Sequence, residues 1–267
     1  MRSACRTDGA FDHAAIAVRD RIDEAARAFA RLGFTLTPRG HHTLGSINHL
    51  IVLQTTYVEL IGFPAGRTDV RAELRDAPIG LNGLVFASEN AHATHGRAQQ
   101  RGAPLQPVQE FSRPVELDDG AHDARFRTVR TVPGASPAGR VYFCEHLTPE
   151  LVWRMPWQWH ANASLELTGV TAHVRDLAAE AALYRSLLGD APVALRGTAL
   201  QVDAPPVRIR IEASDAPPAM DGIAIRVADL GATERVLRDA QVRFERAAGG
   251  LDVDPSEAFG VAIRFHG

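Results

Sequence analysis

The chain has 267 residues, 45% hydrophobic and 23% charged, with a formal net charge of −3. At about 150 residues per domain this length makes one large domain or two ordinary ones, and apolar runs such as Leu50 to Leu53 and Gly83 to Ala87 are strand-sized, which excludes a membrane span. A slightly acidic balance without arginines interleaved by aromatics excludes nucleic acid as a partner. All 29 basic residues are arginine, so Schiff-base chemistry through a lysine is excluded too. Met1 to Ala10 has no apolar segment behind its charges, so a cytoplasmic location is expected. Cys5 and Cys144 form neither a disulfide framework nor a thiolate metal site and read as reduced thiols.

In chain order, Phe11 to Val18 reads as a buried strand. An amphipathic helix follows from about Asp23 to Leu32, ended by Gly33. A short strand at Phe34 to Thr37, a loop rich in Gly and His, and strands at His49 to Leu53 and Tyr57 to Phe63 complete a unit. The order then repeats: Gly83 to Ser88, a helix near Ala91 to Arg101, and strands near Val108, Arg125 to Val129 and Val141 to Cys144. A third copy opens at Leu167 to Asp176, whose Val-Arg-Asp launches a helix capped by Gly189. A fourth opens at Gly222 to Asp229, continues with a helix near Ala232 to Ala240, and closes at Gly260 to Phe265. The fold class is α+β with four βαβββ modules. One such module leaves an uncovered apolar sheet face, so modules pair, and four make two domains. Domains are expected at residues 9–155 and 163–267, joined by a packed connector whose tryptophans, Trp157 and Trp159, together with Trp153 just before it, are read as packing between the halves.

Phe11 to Asp20 (FDHAAIAVRD), Leu32 to Gly40 (LGFTLTPRG), Asn48 to Gly62 (NHLIVLQTTYVELIG) and Phe143 to Trp153 (FCEHLTPELVW) together resemble the vicinal oxygen chelate superfamily and its glyoxalase-like branch. The resemblance implies paired βαβββ modules curled into U-shaped, partly open barrels around a divalent metal. It spans isomerases, epimerases, extradiol dioxygenases and metal-free drug binders, so it names no reaction.

Ligands in that superfamily come from the first and last strands of each module. Those positions here are His13 and Glu59 in module one. A carboxylate inside a barrel needs a cation or donors, because burying it alone is very costly. In module two the first-strand position is Gly83, which cannot ligate, and the last strand ends at Cys144-Glu145-His146. Alternation sends Glu145 and His146 to opposite faces, and His146 is the expected third ligand. His13, Glu59 and His146 form a two-histidine, one-carboxylate set suited to Fe2+, Mn2+, Zn2+, Ni2+ or Co2+. The C-terminal half, with Gly169, Gly222 and Arg264 at the corresponding positions, is read as a degenerate supporting domain.

Arg39 is expected to hold a substrate carboxylate, since its guanidinium fork binds such groups bidentately. Asn48 either contacts a ligand or caps a turn. Arg113 and Arg127 either recognise an anionic substrate or sit on a solvated sheet face with Glu110 or Glu116. His41 and His42 read as a solvated loop pair. Glu59 and Glu145 are the candidate proton-moving groups.

The expected function is a metal-dependent lyase or isomerase of the glyoxalase type, acting through a metal-stabilised enolate on a small substrate with vicinal oxygens. An extradiol ring-cleaving dioxygenase and a non-catalytic binder of antibiotic-like small molecules are the alternatives. The chain is expected to act as a monomer or homodimer.

Overall fold

A computed structural model describes residues 7–267 of the chain; Cys5 lies outside the described residues. The first module runs β1 (Phe11–Arg19), α1 (Ile22–Arg31), β2 (Gly40–His41), β3 (Ile47–Val52) and β4 (Tyr57–Gly62). A one-turn helix, α2 (Ala72–Arg75), leads into the second: β5 (Gly80–Ala87), α3 (Ala91–Gln100), β6 (Gln109–Leu117), β7 (Gly120–Arg130) and β8 (Arg140–His146). The third is β9 (Ser164–Val174), α4 (Leu177–Leu188), β10 (Val193–Arg196), β11 (Ala199–Ala204) and β12 (Val207–Ala213). The fourth is β13 (Ala219–Val227), α5 (Leu230–Asp239), β14 (Phe244–Ala247), β15 (Gly250–Val253) and β16 (Ala262–His266). The repeated strand-helix-strand-strand-strand order is therefore present four times. One expected element differs: Phe34 to Thr37 is not a strand, and the short strand lies at Gly40–His41.

Each pair of modules builds one eight-stranded sheet, ordered β2-β3-β4-β1-β5-β8-β7-β6 in the first half and β10-β11-β12-β9-β13-β16-β15-β14 in the second. The central strand β1 is parallel to β4 and antiparallel to β5. It is covered on both faces, which is why FDHAAIAV reads as nearly unbroken apolar sequence. The two edges of the first sheet meet where Thr43 N–H donates to the Ser112 carbonyl at 2.9 Å and Ser112 N–H donates to Thr43 Oγ1 at 3.2 Å. The N-terminal barrel is thus nearly closed, a tighter shape than the open U of the sequence expectation.

Alternation along the strands sorts the side chains. Phe11, Ile16 and Val18 of β1 and Val141 and Phe143 of β8 face the helices, where they join the buried residues Ile22, Ala25 and Phe29 of α1. The same apolar cluster continues through Val170, Ala172, Val207, Ile209 and Ile211 of the second sheet, so both halves share one core. A separate cluster of Leu50, Val52, Tyr57, Val85, Phe126, Tyr142 and Cys144 fills part of the first barrel.

The second sheet turns its other face to water. Arg208 pairs there with Asp203, Arg210 with Glu212 and Arg264 with Asp252. On β11, β12 and β15 each acid therefore has an arginine beside it. The connector is pinned: His160 accepts from Thr35 N–H at 3.1 Å, and Asn162 donates to the Leu32 carbonyl at 2.8 Å. Trp153 packs within the first barrel against Tyr57 and His146 and Trp159 is 72% exposed, so these two do not pack between the halves as expected. No helix among the described residues is long and apolar enough to cross a membrane.

Candidate metal centre

The first barrel encloses a cavity of ≈ 50 Å³ lined by His13, His42, Asn48, Glu59 and a set of arginines and aromatics. His13 lies on β1, the central strand, and its ring stacks on Tyr57 of β4 with centroids 4.2 Å apart. Its Nδ1 donates to Asp12 Oδ2 at 2.6 Å, which leaves Nε2 directed at Glu59 Oε2, 3.8 Å away. A ligating histidine commonly gives its second ring N–H to a carboxylate in this way, which fixes the tautomer and aims the lone pair.

Glu59 is 6% exposed and sits mid-strand on β4, opposite Ala15. Burial pushes its carboxyl up, but His13, His42 and the Asn48 amide outweigh that and hold it below its ordinary value. Asn48 Nδ2 donates to Glu59 Oε1 at 2.7 Å and lies 3.3 Å from His42 Nε2. One amide thus bridges two acceptors, which are 4.0 Å apart. Burial lowers the His42 pKa to about 4, so its ring is neutral and its Nε2 offers a lone pair. His42 Nδ1 makes a 2.8 Å hydrogen bond with Ser46 Oγ, consistent with that tautomer. β2 crosses close over this group only because residue 40 is glycine: a Cβ there would lie 2.3 Å from Asn48 Oδ1 and 2.9 Å from Arg113 Cδ.

Two imidazoles and a carboxylate are a donor set of the kind that holds a divalent metal. His13 Nε2 lies 3.8 Å from Glu59 Oε2 and His42 Nε2 4.0 Å from Glu59 Oε1, but the three residues do not bring one ligand atom each within 4.8 Å of one another, so they would have to draw together around an ion. The Asn48 amide supplies N–H donors to Glu59 Oε1 and His42 Nε2, while His13 Nε2 and Glu59 Oε2 face each other without such a donor between them. His42 is the residue that sequence reasoning missed. As one of two adjacent histidines in a polar loop it looks solvated; folding the loop over the barrel buries it, while His41 stays exposed.

The expected third ligand, His146, lies elsewhere. Its Nε2 donates to Asp12 Oδ2 at 3.0 Å, so Asp12 stands between it and His13. Asp12, Cys144 and His146 form a second cluster, with one ligand atom from each within 4.8 Å of the others. Among these three only Cys144 lines the cavity.

Three other expected residues are outside the site. Glu145 follows the helix-facing side of β8, as alternation requires, and accepts from the Ala91 N–H at the start of α3 at 2.8 Å. Arg127 lies on the same outer face, 3.0 Å from Glu110 and 3.8 Å from Glu145. Arg39 is at the surface, paired with Asp23 of α1. Arg113, by contrast, is 3% exposed and lines the cavity, as does Asn48.

Module two does not repeat the ligands. Ala14 pairs with Leu84 across β1 and β5, so the approximate twofold between them puts Gly83 where β1 has His13. Tyr142, paired with Val85, stands where β4 has Glu59.

A family model described as a glyoxalase-like domain matches residues 11–188. The chain belongs to the glyoxalase-like domain family. This places it in the vicinal oxygen chelate superfamily, in agreement with the module order and sheet topology above. Among solved structures it is similar to a hypothetical protein from Staphylococcus aureus (12% identity, 96% of this chain and 98% of that chain, TM-score 0.72). It is also similar to a mutant of 4-hydroxymandelate synthase from Streptomyces coelicolor (17% identity, 97% and 92%, TM-score 0.61). A third is the 2,3-dioxygenase LapB from a Pseudomonas species (11% identity, 98% and 93%, TM-score 0.59). These likenesses concern the fold. No curated protein sequence matches.

Proposed function

We propose that the N-terminal unit, residues 9–155, is a metal-dependent enzyme acting on a small substrate with two adjacent oxygens, with residues 163–267 as its supporting unit. The observation that carries this reading is that His13, His42 and Glu59 line one cavity, with His13 Nε2 and His42 Nε2 each facing a Glu59 carboxylate oxygen and Asp12 orienting His13. His13, Glu59 and His42 would hold Fe2+, Mn2+, Zn2+, Ni2+ or Co2+, replacing the set with His146 that the sequence pattern favours. When bound, the ion supplies a Lewis acid that takes up vicinal oxygens and stabilises negative charge developing on them.

The remaining work falls to the chain's own side chains. Glu59, held ionised below its usual range, is the group placed to accept a proton from a substrate carbon in a lyase or isomerase reaction. Asn48 fixes the orientation of Glu59 and His42 through one amide, so neither needs to reorganise during proton transfer. Tyr57, Tyr142, Leu50 and Phe126 exclude bulk water around them. A ring-cleaving dioxygenase is the second reading, favoured by the two-histidine, one-carboxylate composition, which suits non-haem Fe2+.

The test is metal content by elemental mass spectrometry after loading with each of the five ions, for the wild type and for His13→Ala, His42→Ala, Glu59→Ala, Cys144→Ser and His146→Ala. Near-stoichiometric metal that is lost in the first three variants and kept in Cys144→Ser supports the assignment. Preference for Fe2+ directs the activity screen to dioxygenation, and preference for another ion to isomerisation. Metal lost in Cys144→Ser and His146→Ala but kept in His42→Ala overturns the ligand set. Absence of metal under every loading leaves a non-catalytic small-molecule binder.

A further inference from the structure

Four arginines line the same cavity: Arg71, Arg113, Arg130 and Arg140. Their counter-charges are few. Glu73 is shared between Arg71 at 2.8 Å and Arg130 at 3.0 Å, and Glu59 is turned toward the histidines. Among the described residues neither Arg113 nor Arg140 has an ion-pair partner. Arg113 is 97% buried, as its 3% exposure implies, and its Nη2 makes no hydrogen bond; Arg140 Nη2 and Arg71 Nε are buried and equally unpartnered. Two of the four cavity guanidiniums, those of Arg113 and Arg140, thus stand without a carboxylate of their own among the described residues.

A buried guanidinium without an acceptor is destabilising, so its retention needs a reason. The barrel's geometry offers one. Glu59, Ala15, Gly83 and Arg140 lie in one transverse row across β4, β1, β5 and β8. A carboxylate stands on one wall, an arginine on the other, and the floor between them is a methyl group and a glycine. A Cβ at Gly83 would come within 3.0 Å of Ala15 Cβ and 3.7 Å of Arg140 Nη2, filling that floor. Gly83 thus leaves no side chain in the row between Glu59 and Arg140.

Building on the proposed function, we infer that the substrate is a small dianion, whose oxyanion groups are taken by Arg113 and Arg140 with Arg71 and Arg130 behind them. Arg113 and Arg140 are the two guanidiniums without a carboxylate partner, one for each charge of a dianion, and planar guanidinium forks suit the oxygens of a carboxylate or phosphate.

The test uses metal-free full-length protein, prepared with chelator and titrated calorimetrically at fixed ionic strength with malonate, succinate, inorganic phosphate and butyrate. The dianions are expected to bind at least about tenfold more tightly than butyrate. Tighter binding of the dicarboxylates than of phosphate assigns a dicarboxylic substrate, and the reverse order a phosphorylated one. Arg113→Met and Arg140→Met should each weaken dianion binding by about tenfold or more, while Arg125→Met at the surface leaves it unchanged. Arg113→Met should also raise the melting temperature, because it removes a buried charge that lacks a partner; a merely structural Arg113 would lower it. Dianions binding no better than butyrate, or arginine variants binding as the wild type does, overturn the inference. The same titration of metal-free His13→Ala retains dianion binding even where metal is lost, so a failure here and a failure of the metal assignment are read separately.

Discussion

Glu166 ties the two halves of the chain together, and removing it should be costly. It lies on β9, is 5% exposed, and accepts three hydrogen bonds from the turn between β3 and β4. Thr55 N–H donates at 3.1 Å, Thr55 Oγ1 at 2.7 Å and Thr56 Oγ1 at 2.5 Å. Hydrogen bonds to a charged group contribute about 1.5–3 kcal/mol each, which bounds the set at roughly 9 kcal/mol. Part returns in Glu166→Ala: exposed Thr55 can reach water, and the desolvation of the carboxylate is relieved. Fully buried Thr56 cannot rehydrate, so a net loss of about 3–4 kcal/mol is expected. For a chain of this size that lowers the melting temperature by about 10 °C. The assay is urea denaturation of wild type, Glu166→Ala, Thr56→Val and the double variant, followed by circular dichroism and tryptophan fluorescence. A coupling energy of about 1–2 kcal/mol between the two positions is expected, with both probes reporting one transition because the halves share a core. A loss below about 1 kcal/mol, or strict additivity, would refute the reasoning.

The pH response of the metal-free protein follows from His42. Its folded pKa of about 4 lies below the ordinary 6.5, so the unfolded chain takes up the proton first and stability falls as pH drops from 6.5 through 4. The shift corresponds to about 3 kcal/mol, and His42→Gln should shrink the difference in urea midpoint between pH 7 and 4.5; an unchanged difference would show that other groups dominate. Gly33, at φ +87°, ends α1 where the connector packs, and a Cβ there would lie 2.7 Å from Val236 Cγ1 and 2.9 Å from Asn162 Cβ. Gly33→Ala should therefore cost about 2 kcal/mol or more, and a thermal midpoint within a degree of wild type would contradict that.

The legibility of this protein in its own sequence divides along a physical line. Local periodicity reports how a strand or helix is covered. The doubly covered β1, the Ile22, Ala25 and Phe29 stripe of α1, and the capping acids Asp176 and Asp229 all give local signals, and with them the fourfold βαβββ order. His13 and Glu59, expected as ligands from the family resemblance, are polar residues within apolar strands, and both line the cavity. Alternation also separated Glu145 from His146. It could not say that His146 would find Asp12, because that bond joins residues 134 positions apart.

His42 and the arginine set were decided by tertiary structure alone. His42 sits in a loop whose composition looks solvated, and only the meeting of the first and last edges of the sheet, at Thr43 and Ser112, carries it into the interior. Arg113 alternates with exposed neighbours on β6 and differs from Arg127 only in which face of the curled sheet it occupies. Sequence periodicity determines that a strand has two faces; closure of the barrel determines which face becomes an interior. That closure leaves Arg113 buried beside the cavity and Arg127 outside beside Glu110.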